Sequence, residues 1–252
     1  MERIKKYFGA LLLFFIIFSC NNENAGDCIQ TEGNIIEKEI TVSSFEEIIV
    51  HENIEIYVID SNENKIVIES GENLINDIDL NVNNNTLEIT NNNTCFFTRD
   101  FKTTKVYVYS PNITKIRNSS NLPVYSVGVL NYSSLELISE NYLSDFLNSG
   151  DFNLEINTTS LRIVANGPST HKITGNCSNI NINFAGANPR FEGENLIIQN
   201  AFLFARSTND IIINVTDEIN GNLYSTGDVI LVTKPNITTL NAFYTGKVIE
   251  GY

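Results

Sequence analysis

Few side chains in this chain could do chemistry, and their spacing limits what that chemistry would be. The only histidines, His51 and His171, lie far apart and outside any metal-ligand spacing. Asp77 and Asp79 alternate on one strand face, where contact with water accounts for both. Glycoside cleavage needs two carboxyl groups about 5–10 Å apart across a cleft. An acid follows a corner glycine at Asp151 and at Asp228. A calcium-binding roll would instead repeat GGxGxD at regular intervals. GxSxG, HExxH and the phosphate loop do not occur. The expectation is a non-enzymatic chain with no catalytic residue, no metal and no cofactor. A glycan-cleaving β-helix stays open only because stacking could bring distant acids together.

The remaining reactive groups are cysteines, at 20, 28, 95 and 177. Arg3, Lys5 and Lys6 precede an apolar run from Tyr7 to Ser19. A helix of those 13 residues reaches only about 20 Å, short of the roughly 30 Å hydrocarbon core. The run reads as a secretory signal, and Ile17-Phe18-Ser19-Cys20 resembles a lipobox. Cys20 is therefore the expected lipidation site, anchoring the protein to a membrane by its acyl chains. Residues 1–19 form the lipoprotein signal peptide and residues 20–33 a polar tether. The expected location is the bacterial outer membrane, facing the periplasm or the cell surface. In that oxidising compartment Cys28–Cys95 is the expected disulfide, pinning the tether, and Cys177 is left free.

Charge narrows the partners. The whole chain carries −14. The signal segment sets Glu2 against three cations, so the remainder carries −16. That disfavours nucleic acid and anionic lipid as electrostatic partners. A glycan or a protein ligand is compatible with it.

These groups need a scaffold, and the scaffold is legible as strands. IEIYVI (54–59), KIVIES (65–70), DIDLNV (77–82), TLEIT (86–90) and KVYVYS (105–110) place apolar residues at every second position. Asn83-Asn84-Asn85 reads as a tight turn, because asparagine tolerates positive φ. GENLIND (71–77) reads as one short helical turn. From about residue 113, small polar corners recur at Gly150, Gly167, Gly186, Asn209, Gly227 and Gly246. Their steps of 17, 19, 23, 18 and 19 residues indicate a repeat architecture. Asn209 in a glycine position suggests left-handed backbone. Ser225-Thr226-Gly227-Asp228 is then a corner of one rung rather than a ligand loop.

The expected fold is all-β: one β-helix-like solenoid over residues 34–252, wound right-handed, with a period of about 19–20 residues in its C-terminal half. Residues 34–112 would supply longer strands and hairpins, and 113–252 short rungs. Leu161, Ile163, Ile180, Ile182, Phe202, Phe204, Ile211, Ile213, Val229 and Leu231 would stack inside. A surface ladder of Phe202, Phe204, Tyr224, Phe243 and Tyr244 for sugar stacking is the weaker alternative to burial.

FEEIIVHENIEIYV (45–58), KIVIESGENLINDIDLNVNNNTLEI (65–89), KVYVYSPNITKI (105–116) and INGNLYSTGDV (219–229) together resemble the auto-transporter adhesin head GIN domain family (DUF2807). The likeness spans roughly residues 40–250. STGD (225–228) matches the family's SGSGD-like corners, NSGD (148–151) does so partly, and ANGP and FAGA depart from them. The resemblance implies a β-helix-like envelope protein, often a lipoprotein, with no catalytic residue to carry over. The function expected is that of an adhesin or ligand-binding module. The alternative is a scaffold that self-associates end to end, since VIEGY at the C-terminus offers no obvious cap.

Overall fold

The computed structural model describes residues 31–93, 103–142 and 146–252. They are almost entirely strand and turn. The N-terminal part holds β1 (Ile35–Thr41), β2 (Glu47–Val50), β3 (Ile54–Asp60), β4 (Lys65–Gly71), β5 (Ile78–Asn83), β6 (Thr86–Asn91), β7 (Thr104–Ser110), β8 (Lys115–Asn118), β9 (Val124–Leu130) and β10 (Ser134–Ser139). Four long strands follow: β11 (Phe152–Ala165), β12 (Thr170–Phe184), β13 (Arg190–Ala205) and β14 (Ile211–Leu223). β15 (Val229–Leu231), β16 (Ile237–Ala242) and β17 (Val248–Glu250) end the chain. The expected helical turn is a single 3-10 turn, Ile75–Asp77. Asn84 and Asn85, at φ 47° and 67°, make the tight β5–β6 turn expected of asparagine.

The seventeen strands of the described residues belong to one hydrogen-bonded sheet, curled and open. The long strands show why it curls. In β11 inward and outward residues alternate until Thr159 and Ser160, both exposed, shift the phase. Gln199-Asn200 in β13 do the same, whereas in β14 three polar residues, Thr216, Asp217 and Glu218, separate inward Val215 from inward Ile219. A strand that keeps its ladder bonds through such a polar pair must bend, so each half points inward from its own direction. Four of the rungs expected to be short strands, β11–β14, are therefore strands of 13–16 residues, while β15, β16 and β17 are short, at 3, 6 and 3 residues. The bend sits at polar pairs that carry no glycine or proline, the usual markers of a break.

The two halves extend two ladders. In the first, β1-β4-β7-β3-β9 leads into the first halves of β11–β14, then β15 and β17. In the second, β5-β6-β2-β8-β10 leads into the second halves, then β16. β1–β4, β4–β7 and β5–β6 pair antiparallel; the remaining pairings are parallel. Phe152 pairs with His171 and Phe191 with Ile211, so neighbours in a ladder are about one sequence repeat apart. β2 and β3 break chain order, for they insert between β6 and β8 and between β7 and β9.

Both ladders turn their apolar side chains into one buried cluster. Leu135, Leu161, Ile180, Ala201 and Ile219 form one inward column. Burial of each large aliphatic side chain contributes roughly 1.5–3 kcal/mol. Of the ten expected core residues, Phe202 and Phe204 are the exceptions. Ala201, Leu203 and Ala205 point inward instead, and Phe202 is 43% exposed. The parallel register decides this, pairing Ala201 with Ile180 and Leu203 with Ile182. Alanine at 205 also leaves room for Phe184, its inward neighbour.

Candidate binding face

The residues expected to do chemistry are dispersed. His171 is buried, stacked on Phe152 at 5.1 Å and tilted against Phe184 at 5.8 Å. Burial pushes its imidazole down to about 3, against a weaker upward pull from the Arg190 backbone. It is a neutral core ring. His51 lies elsewhere, with Nε2 2.8 Å from Glu88 Oε1 and its ring on Phe146. Asp79 accepts from the Asn92 amide at 2.6 Å. Among the described residues, no group of three or more histidine, cysteine or acidic side chains could hold a metal. Cys177 is free and buried; its thiol donates to Asn179 O, and burial pushes it up to about 11. Cys20, Cys28 and Cys95 lie outside the described residues.

The corner residues act between rungs. Asp151 Oδ1 accepts from Thr170 N at 2.6 Å, Asp210 Oδ1 from Asp228 N at 3.0 Å, and Asp228 Oδ1 from Lys247 N at 2.7 Å. Each carboxylate thus clamps the backbone of the following corner. Asp151 and Asp228 are four rungs apart, roughly 19 Å at the strand spacing, too far to share one glycosidic bond. A Cβ on Gly227 would run into the carbonyl oxygen of Asn209, and one on Gly246 into that of Gly227. Gly150 and Gly167 are hemmed in by Asn118 and Asn148, whereas Gly186 has open space. None of these glycines, nor Asn209, has positive φ. Close stacking of backbone, rather than left-handed conformation, is what excludes a side chain at Gly227 and Gly246.

The feature that stands apart is on the outside of the second ladder. Phe204, Tyr224 and Phe243 follow one another across successive rungs: Phe204 is tilted 48° against Tyr224 at 5.3 Å between centroids, and Tyr224 stacks on Phe243 at 4.9 Å. The Arg206 guanidinium lies over Phe204 and Tyr224 at 5.2 and 5.6 Å. Tyr224, Phe243 and Tyr244 are 38%, 62% and 66% exposed. Phe202 is flanked in register by Asn181 and Asn220, and Phe204 by Asn183 and Asn222. The amides form ladders of their own: Asn200 donates to Asn179 and Asn241 to Asn222, at 3.2 and 3.3 Å. Asn220 donates to Glu218 at 3.1 Å. A shallow cleft of 280 Å³ runs beside Phe202, lined by Asn179, Asn181, Asn200, Glu218 and Asn220.

Exposed rings among amides have a definite chemistry. Rings offer apolar, polarisable surface. Each amide has two donors and an acceptor oxygen, of which the ladder uses only part. The face suits a ligand that is itself half apolar and half hydroxyl, and it carries little net charge. The sequence held these aromatics in view as a surface alternative. NAFLFA (200–205) is apolar in both phases, so alternation alone does not tell which phase faces inward.

The fold and the face define an all-β protein with an outer face of aromatic rings and amides. The chain belongs to the family described as "Putative auto-transporter adhesin, head GIN domain" (DUF2807), whose profile matches residues 44–235. Among solved structures, a "putative adhesin" from Bacteroides fragilis is similar at a TM-score of 0.76 and 20% identity, covering 85% of this chain and 96% of that one. A "putative lipid binding protein" from Parabacteroides distasonis follows at 0.60 and 14%, covering 86% and 98%. A "putative adhesin" from Parabacteroides merdae stands at 0.57 and 14%, covering 87% and 99%. At these identities the likeness is one of fold. No curated protein sequence matches the chain.

Proposed function

We propose that this chain is a non-enzymatic, lipid-anchored adhesin of the bacterial cell envelope that binds glycan on the aromatic–amide face of its second ladder. The observation that carries the reading is the outward Phe204–Tyr224–Phe243 column among asparagine amides, half-buried at Phe204 and exposed at Tyr224 and Phe243. Its membership of an adhesin-named family supports the same reading. The rungs wind as a β-solenoid, supported by parallel registers of about twenty residues, and we take the winding as right-handed. Acylation at Cys20 anchors the mature chain at the outer membrane, and a Cys28–Cys95 bridge pins the tether.

The test is a glycan array probed with the protein and with a Tyr224→Ala/Phe243→Ala variant. Loss of a glycan signal in the variant, with its circular dichroism unchanged, supports the reading. An array signal indifferent to both substitutions refutes it.

One observation favours a second reading, a scaffold of copies joined end to end. Among the described residues β16 pairs only with β14 and β17 only with β15, so both present an edge without a partner strand there. Ile237, Ile249 and Tyr252 are exposed there. Sedimentation that shifts with concentration, and is abolished by Ile237→Lys, would favour this reading over the adhesin.

A further inference from the structure

The first ladder carries its own outward aromatic column. Tyr107 pairs with Tyr57 and Tyr57 with Tyr125, with centroids 4.9 and 5.3 Å apart and planes within 21°. Glu69 and Glu55 accept from the phenols of Tyr107 and Tyr57. The next residue in register beyond Tyr125 is Asn153, and then Lys172. An asparagine cannot cover a tyrosine ring, so the column stops with one ring face towards β11.

A groove opens at that step. Its volume is 500 Å³, within the range of about 300–1,000 Å³ usual for small-ligand sites. Tyr125, Ser126, Asn153, Glu155, Lys172 and Thr174 contribute to its lining. The backbone is shaped for it. Between Tyr125 and Val129, β9 spends three residues where β11 spends one, and Gly128 takes φ 75°. Such bulges re-aim side chains next to functional sites. This one lifts Val127 to 50% exposure at the rim.

The charges in the groove are uncommitted. Lys65, Lys105 and Lys115 each hold a glutamate. Among the described residues neither the Lys172 ammonium nor the Glu155 carboxylate has an ion-pair or hydrogen-bond partner. A donor and an acceptor therefore stand free beside an open aromatic face, with the Asn153 amide and the Thr174 hydroxyl between them in the ladder.

We infer that this groove is a second carbohydrate subsite, taking one or two residues of a neutral glycan with a pyranose ring against Tyr125. The C–H face of the sugar meets the ring, and its hydroxyls donate to Glu155 and accept from Lys172, Asn153 and Thr174. The ligand is neutral because Glu155 offsets Lys172 in a chain of net charge −14. The site stands on a different ladder from the Phe204–Tyr224–Phe243 face and does not depend on it. Two sites on one rigid body let the protein bridge two glycan strands, or hold one with avidity where the geometry permits.

The test is calorimetric titration of the full-length protein in detergent with cellohexaose, mannohexaose and chitohexaose, and with oligogalacturonate as the acidic control. At least one neutral hexasaccharide should bind, with Tyr125→Ala and Lys172→Ala each weakening it about tenfold or more and Tyr125→Phe leaving it nearly unchanged. The Tyr224→Ala/Phe243→Ala variant should retain this binding, which separates the groove from the other face. Lys172 is exposed, so its alanine variant tests the groove even if Tyr125→Ala folds poorly. No neutral hexasaccharide heat, heats unaltered by both alanine variants, or tighter binding of oligogalacturonate would each overturn the inference.

Discussion

Two of the aromatic columns in this molecule have opposite fates. The inner one pairs Phe152, His171 and Phe191 and continues to Ile211, every member buried. The outer one, Phe204–Tyr224–Phe243, stacks at similar ring separations in contact with water. Hydrophobicity does not separate them, for the inner column holds a histidine and the outer one two phenylalanines. Parity separates them. A parallel ladder copies the inward phase of each strand to the next, so a side chain is buried by its register and not by its own preference.

The largest break of the comparison is to shorten one ring in each column. Phe191→Ala should cost about 3–5 kcal/mol in urea unfolding. Phe243→Ala should stay within about 0.5 kcal/mol. Similar costs would mean that the outer stack is structural.

Acid should act on the inner column alone. His171 is held down to about 3, whereas in the unfolded chain it titrates near its usual 6.5. Below that unfolded value the unfolded state takes up the extra proton, so stability falls as pH drops from about 6.5 towards 3, by up to about 1.4 kcal/mol per unit. The loss is absent above neutrality. Unfolding midpoints of the wild type and of His171→Phe across this range should converge at neutral pH and diverge in acid, with the variant the more stable.

Smaller effects sharpen the account of the corners that hold both columns in register. Gly227→Ala should destabilise by about 1–3 kcal/mol, because a methyl cannot fit against the carbonyl of Asn209. The same change at Gly186, which has open space, should be nearly silent. Asp228→Ala removes the acceptor for Lys247 N and should cost about 1 kcal/mol, read as faster amide exchange at Lys247.

The strands themselves were legible. Alternation is a local property with period two, and β3, β4, β6 and β7 lie where it placed them. The Asn84-Asn85 turn rests on one residue type's tolerance of positive φ. Register partners in β11–β14 lie about twenty residues apart, but Gly227 and Gly246 answer to close backbone stacking and not to the left-handed backbone expected at such corners. Gly227 is demanded by Asn209 in the preceding rung, so no local conformational rule could identify it. The bends at Thr159-Ser160 and Gln199-Asn200 carry no glycine or proline, so they pass as ordinary polar strand.

By itself, the sequence determined that the chain is all-β, how often it turns, and which side chains are large, apolar or charged. Tertiary structure alone decided that β2 and β3 slot between later strands, because hydrogen-bonding edges select partners without regard to chain order. It also decided which phase of NAFLFA faces inward, because both phases are apolar and only the registers with Ile180, Ile182 and Ile219 break the tie. The end of the tyrosine column at Asn153 is of the same kind: two residues 28 positions apart become neighbours only when β9 and β11 share a ladder, and the groove exists only there.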